Sequence, residues 1–147
     1  MLLDPRGPRF AAAVTTVVLV LVLILTSGWL ALAQAAVFAV TAANPRFGPY
    51  GILYRTLVAP RLSRPTELEP AEPVRFAQLV GFAFTAVATV GFLTGVTALG
   101  LVAAAFALIA AFLSAAFGLC LGCEAYLVLR RLTGRPLPAR RVPAATR

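Results

Sequence analysis

Two long apolar stretches dominate the chain: no residue is charged between Phe10 and Asn44, and none between Phe76 and Cys123. A helix needs about 20 apolar residues to cross roughly 30 Å of hydrocarbon, and about 17 is near the lower limit. Phe10–Ala43 is too long for one crossing and only just long enough for two. Thr26-Ser27-Gly28 interrupts it, and Trp29 follows, an aromatic suited to the membrane–water boundary. The pattern predicts spans over 10–25 and 29–43. The second stretch divides alike, with a span over 76–93, a turn at Thr94–Gly100 built of glycines and threonines, and a fourth span over 101–121. Pro8 and Pro73 stand just ahead of the first and third spans, where a missing N–H costs nothing.

The two hairpins resemble each other in letters. Pro8-Arg9-Phe10-Ala11 matches Pro73-Val74-Arg75-Phe76-Ala77 with one residue inserted. After each hairpin comes an aromatic-glycine patch, Phe47-Gly48-Pro49-Tyr50-Gly51 in one half and Phe117-Gly118 through Gly122 in the other. Tyr54 and Leu57 then align with Tyr126 and Leu129. An even number of spans per unit gives the two copies the same orientation, so the expectation is a parallel internal repeat. The loop over 44–75 is rich in proline, and Gly51–Ala59 reads as a short interfacial helix with Ile52, Leu53 and Leu57 toward lipid. Glu67, Glu69 and Glu72 read as a solvated cluster balancing nearby arginines.

Composition agrees with a lipid solvent. Hydrophobic residues are 61% of the chain and charged ones 12%, against about 45–50% and 25% in soluble domains. All 13 basic residues are arginine, and they lie before Phe10, in the loop over 44–75, or in the tail over 130–147. Both hairpin turns are uncharged, so counting arginines places the N-terminus, the central loop and the C-terminal tail in the cytoplasm. The predicted fold is an all-α membrane protein in one domain over 1–147, with four transmembrane helices as two hairpins in the cell membrane. The net charge of +8 then reports orientation, and a nucleic-acid partner is not expected, because the arginines flank apolar blocks instead of forming a folded basic face. The basic start and the Ala31-Leu32-Ala33-Gln34 stretch mimic a signal peptide, but the apolar run exceeds a cleavable core of about 7–15 residues.

Chemistry has few places to live. There is no histidine and no acidic residue within any span, which removes the usual routes to a metal site, a Ser-His-Asp arrangement or an intramembrane proton relay; no cofactor is expected. Gln34 and Gln78 are the most polar residues in the spans, and side-chain bonding between helices accounts for them. The pointed feature is Cys120-Leu121-Gly122-Cys123, followed by Glu124, which contains both cysteines of the chain. A Cys-x-x-Cys pair can cycle between dithiol and disulfide, one thiolate attacking and the other resolving. Two thiols are too few for a structural zinc. At the cytoplasmic end of span four, a reducing compartment leaves a cycling pair rather than a permanent bridge. The alternative is packing, since cysteine behaves as a small apolar residue and Gly118 and Gly122 form a small-residue surface beside it. The carbonyl end of a continuous helix would disfavour a thiolate, unless the glycines break it and a new helix starts at Cys123.

The opening Asp4-Pro5-Arg6-Gly7-Pro8-Arg9-Phe10-Ala11, the Gly48-Pro49-Tyr50-Gly51 loop and Phe117-Gly118-Leu119-Cys120-Leu121-Gly122-Cys123-Glu124 resemble the bacterial membrane family called domain of unknown function 4395, over nearly the whole chain. The resemblance implies sulfur or thiol redox work, since such proteins occur with thioredoxin-like and thiosulfate sulfurtransferase proteins. It carries over Asp4, Arg6, Arg9, Cys120, Cys123 and Glu124 as candidate positions. The preferred reading is a thiol–disulfide or sulfur-relay partner in which Cys120 and Cys123 exchange with a cytoplasmic thioredoxin-like or sulfurtransferase protein, with Glu124 shuttling a proton or marking the helix end. Two alternatives stay open: a non-enzymatic membrane subunit or scaffold in a homo- or hetero-oligomer, and an oligomeric transporter of a small sulfur compound.

Overall fold

The computed structural model describes residues 1–144; Arg147, the last of the basic tail, lies outside them. The order is β1 (Leu2–Leu3), α1 (Arg6–Leu25), α2 (Gly28–Ala43), α3 (Pro49–Leu53), β2 (Glu67–Pro70), α4 (Ala71–Leu93), α5 (Thr97–Phe117), α6 (Leu121–Leu132) and β3 (Val142–Pro143). Past α3 the chain keeps winding, in one wide turn over Tyr54–Val58 and a tight one over Ala59–Arg61. Its Ile52, Leu53 and Leu57 face outward as expected, while Tyr54 is buried.

Three helices, α1, α4 and α5, are long and apolar enough to cross a membrane; α2 is apolar but has 16 residues. Their outward faces carry exposed Val17, Ile24, Trp29, Val102 and Ile109, a surface that fits contact with lipid and not with water. The first hairpin turns where the sequence places it. Thr26 takes a left-handed conformation (φ 45°), and the Ser27 hydroxyl caps α2 by accepting the Leu30 N–H at 3.2 Å. The second turn is shorter than expected, because α5 already starts at Thr97. Pro8 and Pro73 lie inside the first turns of α1 and α4 rather than ahead of them, where the N–H groups lack intrahelical partners in any case.

Contacts between the hairpins are extensive, and α4 also packs along α5 within the second hairpin, whereas α1 and α2 touch little. Helix α1 lies along α5 and α2 along α4, an arrangement that maps onto itself when the halves are swapped. The swap extends further: α3 rests on α1, and α6 on α4. Phe10 meets Tyr54 at 5.8 Å between ring centroids, and Phe76 meets Tyr126 at 5.5 Å, the pairs that the aligned letters pick out. Arg9 reaches the carbonyls of Ala115 and Ala116 at the end of α5 (3.3 to 3.4 Å), and Arg75 reaches the Ala42 carbonyl at the end of α2 (2.7 Å). Each arginine thereby meets the negative end of a helix from the other half.

The core sits toward the turn end and is made of small side chains, with Leu19, Val22, Ala31, Ala88, Ala103, Ala104 and Ala107 buried together. Alanines let helix axes approach, which drives association where lipid removes the hydrophobic effect. Buried Thr85 and Thr89 return their hydroxyls to carbonyls one turn back, Gly81 and Thr85, each at 2.8 Å. Buried Gln34 receives the Tyr50 hydroxyl at 2.7 Å and points its amide at Thr15, 3.5 Å away, so its role is to tie helices together.

At the opposite end β1, β2 and β3 form an antiparallel sheet in that order, with Leu3 beside Glu69 and Leu68 beside Val142. The N-terminus, the central loop and the tail, the three arginine-bearing segments, therefore meet at one end of the bundle.

Candidate functional site

The site grows from the end of α5. Gly118 adopts φ 66°, a left-handed conformation that ends helices and that glycine takes without penalty. Helix α5 thus stops at Phe117, short of the Leu121 expected for the fourth span, and a separate helix begins at Leu121. Cys120 is the residue that caps it: its backbone is extended and its Sγ accepts the Cys123 N–H at 3.2 Å. The break comes at Gly118 alone, and Gly122 belongs to the new helix. Its place there is steric, because a Cβ on Gly122 would lie 2.6 Å from Ala77 Cα and Cβ on α4.

This reverses the electrostatics expected of a continuous fourth span. The cysteines stand at a helix N-terminus, where unpaired N–H groups favour negative charge, and the Cys123 N–H already points at the Cys120 sulfur of the bridge. Cys120 and Cys123 are joined by a disulfide with their Cα atoms 5.2 Å apart, and both residues are half-buried.

The pair lines a cavity of about 1210 Å³, as large as drug-sized or cofactor pockets run. Asp4, Arg9, Gln78, Cys120, Cys123 and Glu124 all face it. Its wall away from the cysteines is apolar, formed by Phe38, Phe84, Phe106 and Ala110; Phe84 and Phe106 are stacked at 5.9 Å and also reach the outer surface. From the start of α4 at Ala71 to Phe84 the helix rises about 20 Å, so the cavity lining extends over more than half the length of α4. Beyond it lies the packed alanine core.

Five of the six sequence-predicted positions thus share one cavity, and Arg6 does not. Its guanidinium donates to the Ser63 carbonyl at 3.0 Å, tying the start of α1 to the central loop. Asp4 accepts the Arg6 N–H and the hydroxyl of Tyr54, each at 3.0 Å. Burial raises the Tyr54 phenol above its usual value, and the bond to Asp4 and the Asp4 charge raise it further, so it stays a donor. Arg9 lies against Gly118, at the foot of the cysteine loop. Glu124 is in the first turn of α6, a favourable place for an anion, and is ion-paired with Arg140 from the tail.

Sequence reasoning missed that tail. Residues Pro138–Arg141 cross the mouth of the cavity, held by Arg140 to Glu124 and by Arg141 to Glu67 (3.0 Å) and Glu69 (3.6 Å). The acidic cluster read as a solvated loop is therefore a docking point. Glu69 is the partly buried member: burial raises its carboxyl above the usual range, against the pull of Arg141. Complementary charges were visible in the letters, but nothing along the chain indicated which would meet.

Among the described residues no group of histidine, cysteine, aspartate or glutamate has the arrangement to hold a metal ion. The arrangement suits thiol–disulfide exchange: a bridged pair at a helix N-terminus, in the wall of a half-apolar cavity.

Such a helical chain, with three helices able to cross a membrane and a bridged cysteine pair, has a family. The one described as Domain of unknown function (DUF4395) matches residues 3–131, and the chain belongs to it. No curated protein and no solved structure matches the chain.

Proposed function

We propose that this protein is a four-span membrane thiol–disulfide exchange protein whose arginine-bearing end, with both termini, lies in the cytoplasm. The observation that carries the reading is the bridged Cys120–Cys123 pair at the N-terminus of α6, half-buried in the cavity wall. Crossing by α2, despite its 16 residues, is supported by the sheet that gathers the termini and the central loop at one end. A reducing cytoplasm opens such a bridge, so the pair cycles. The partner is a cytoplasmic dithiol protein of the thioredoxin-like or sulfurtransferase kind. Its thiolate attacks the bridge, a mixed disulfide forms, and its second thiol resolves it; the partner leaves as a disulfide, and Cys120 and Cys123 remain as two thiols. The alanine core packed at the turn end of the bundle favours exchange chemistry over passage of a solute.

In Cys120→Ser or Cys123→Ser no bridge can form. In the reverse direction of the exchange the remaining thiol attacks the disulfide of the oxidised partner, and the missing cysteine can no longer displace it, so one of the variants accumulates a mixed disulfide with a cytoplasmic thiol protein that the parent does not retain. The measurement is diagonal non-reducing electrophoresis of membranes with mass spectrometry of the adduct. If neither variant traps a protein, and both thiols resist an impermeant alkylating reagent in inverted vesicles, the cysteines are packing residues and the scaffold reading replaces this one.

A further inference from the structure

Exchange leaves the pair reduced, and a cycle needs something to take two electrons away. The structure limits what that can be. Besides the side open to a protein partner, the cysteines line a cavity whose wall away from them is aromatic and aliphatic, a space that admits a small apolar molecule and not a second hydrophilic protein. Two polar groups in this apolar space are not used up. Part-buried Gln78 lines it about one turn along α4 from Arg75, and its amide makes no hydrogen bond to the described residues. Arg9, which also lines the cavity, spends Nε and one terminal nitrogen on the α5 carbonyls and keeps its other terminal nitrogen without a partner among the described residues. An occupant matching this lining has a flat ring for Phe84 and Phe106, oxygen acceptors for Gln78 and Arg9, and an apolar remainder.

We propose that the cavity binds a lipid-soluble quinone, which reoxidises Cys120 and Cys123. The inference rests on the exchange reading above and names the electron acceptor of the same site. The two S–H bonds break and one S–S bond forms; two electrons and two protons pass to the quinone, whose carbonyl oxygens become the hydroxyls of a quinol. Arg9 stabilises the oxygen on which negative charge develops, and the N-terminus of α6 stabilises the thiolate that starts the step. The net reaction over one cycle is partner dithiol plus quinone giving partner disulfide plus quinol. A phospholipid tail would fill the apolar wall equally well, but it accepts no electrons and leaves the Gln78 amide unmatched.

The test uses the full chain in lipid nanodiscs, reduced and freed of excess reductant. The probe is a short-tailed benzoquinone with every ring position substituted, so that thiols cannot add to the ring. Thiol content and quinol absorbance are followed together. The expected result is one quinol for each pair of thiols lost, at a rate that saturates with quinone, and none from the double Cys→Ser variant. Gln78→Leu, nearly isosteric, is expected to raise the half-saturating quinone concentration about tenfold, the loss of one buried hydrogen bond, without changing the thiols available to alkylation. Ala110→Phe, which fills the apolar wall, is expected to do the same; Gln78→Leu decides alone if that variant does not fold. Absence of quinol above the double-serine background overturns the proposal. So does a rate that is linear in quinone and equal in parent and Gln78→Leu, which marks unspecific oxidation in the bilayer. If mixed disulfides are trapped while either of these results holds, the exchange function stands and the quinone falls.

Discussion

Gly122 offers the sharpest test of how the cysteine loop is held. In Gly122→Ala the new Cβ would stand 2.6 Å from both Cα and Cβ of Ala77, where carbon atoms settle at about 3.5–4.0 Å. One contact atom is backbone, so no rotamer change relieves it and α6 must lift from α4 by about 1 Å. Overpacking of this kind costs about 1–3 kcal/mol. Against it stands the gain from replacing a helical glycine with alanine, about 1 kcal/mol. The net expectation is a loss of up to about 2 kcal/mol for Gly122→Ala, and a larger one for Gly122→Val, which adds bulk and has poorer helix propensity. Gly7 is the internal control: in the first turn of α1 its added Cβ meets only the Tyr54 ring at 3.5 Å, an ordinary contact, so Gly7→Ala should be neutral or slightly stabilising. Thermal unfolding in one detergent, read by circular dichroism, ranks the three. Ala77→Gly should not rescue Gly122→Ala fully, because Ala77 Cα remains in the way. If Gly122→Ala is as stable as Gly7→Ala, α6 does not rest on α4 through this face, and the placement of the cysteines on a fixed helix start is wrong.

Reporter fusions at Gly28 and Val96 should read as external, and fusions at Thr66 and the C-terminus as cytoplasmic; an external signal at Thr66 refutes four spans. Arg9→Leu and Arg75→Leu should each cost about 1 kcal/mol by uncapping a helix end in the opposite half, and the double variant should show the sum if the two sites are independent; a double no worse than either single would show that one cap suffices. For Glu69 the folded state raises the carboxyl above its unfolded value, so between the two the folded chain binds more protons and stability falls as pH rises through that window. Glu69→Gln should therefore gain most over the parent near neutral pH and lose that advantage as pH falls toward the ordinary glutamate range, in denaturant titrations at several pH values; an advantage that does not change with pH refutes the burial argument.

What the letters determined on their own is whatever depends on solvent and local backbone chemistry. Uncharged runs punctuated by Thr26-Ser27-Gly28 and Thr94-Gly95 have one outcome, apolar helices joined by tight turns, because lipid leaves the backbone no other way to satisfy itself. The family resemblance was legible too, as were the cysteines as the chemically pointed pair. The matched Phe10–Tyr54 and Phe76–Tyr126 contacts were foreshadowed by the aligned halves. Tertiary structure alone decided the rest. A left-handed Gly118 turned an expected continuous fourth span into two helices, and so moved Cys120 from a carbonyl end to an amide end; sequence allows glycine either conformation, and the contact of α6 on Ala77 selects one. The pairing of Arg140 with Glu124 and of Arg141 with Glu67 and Glu69 joins residues far apart in the chain, where several arginines compete for few carboxylates and only the sheet register brings these together. The cavity belongs to no segment. Its lining is drawn from α1, α2, α4, α5, α6 and the loops, which only the packing of the helices brings together.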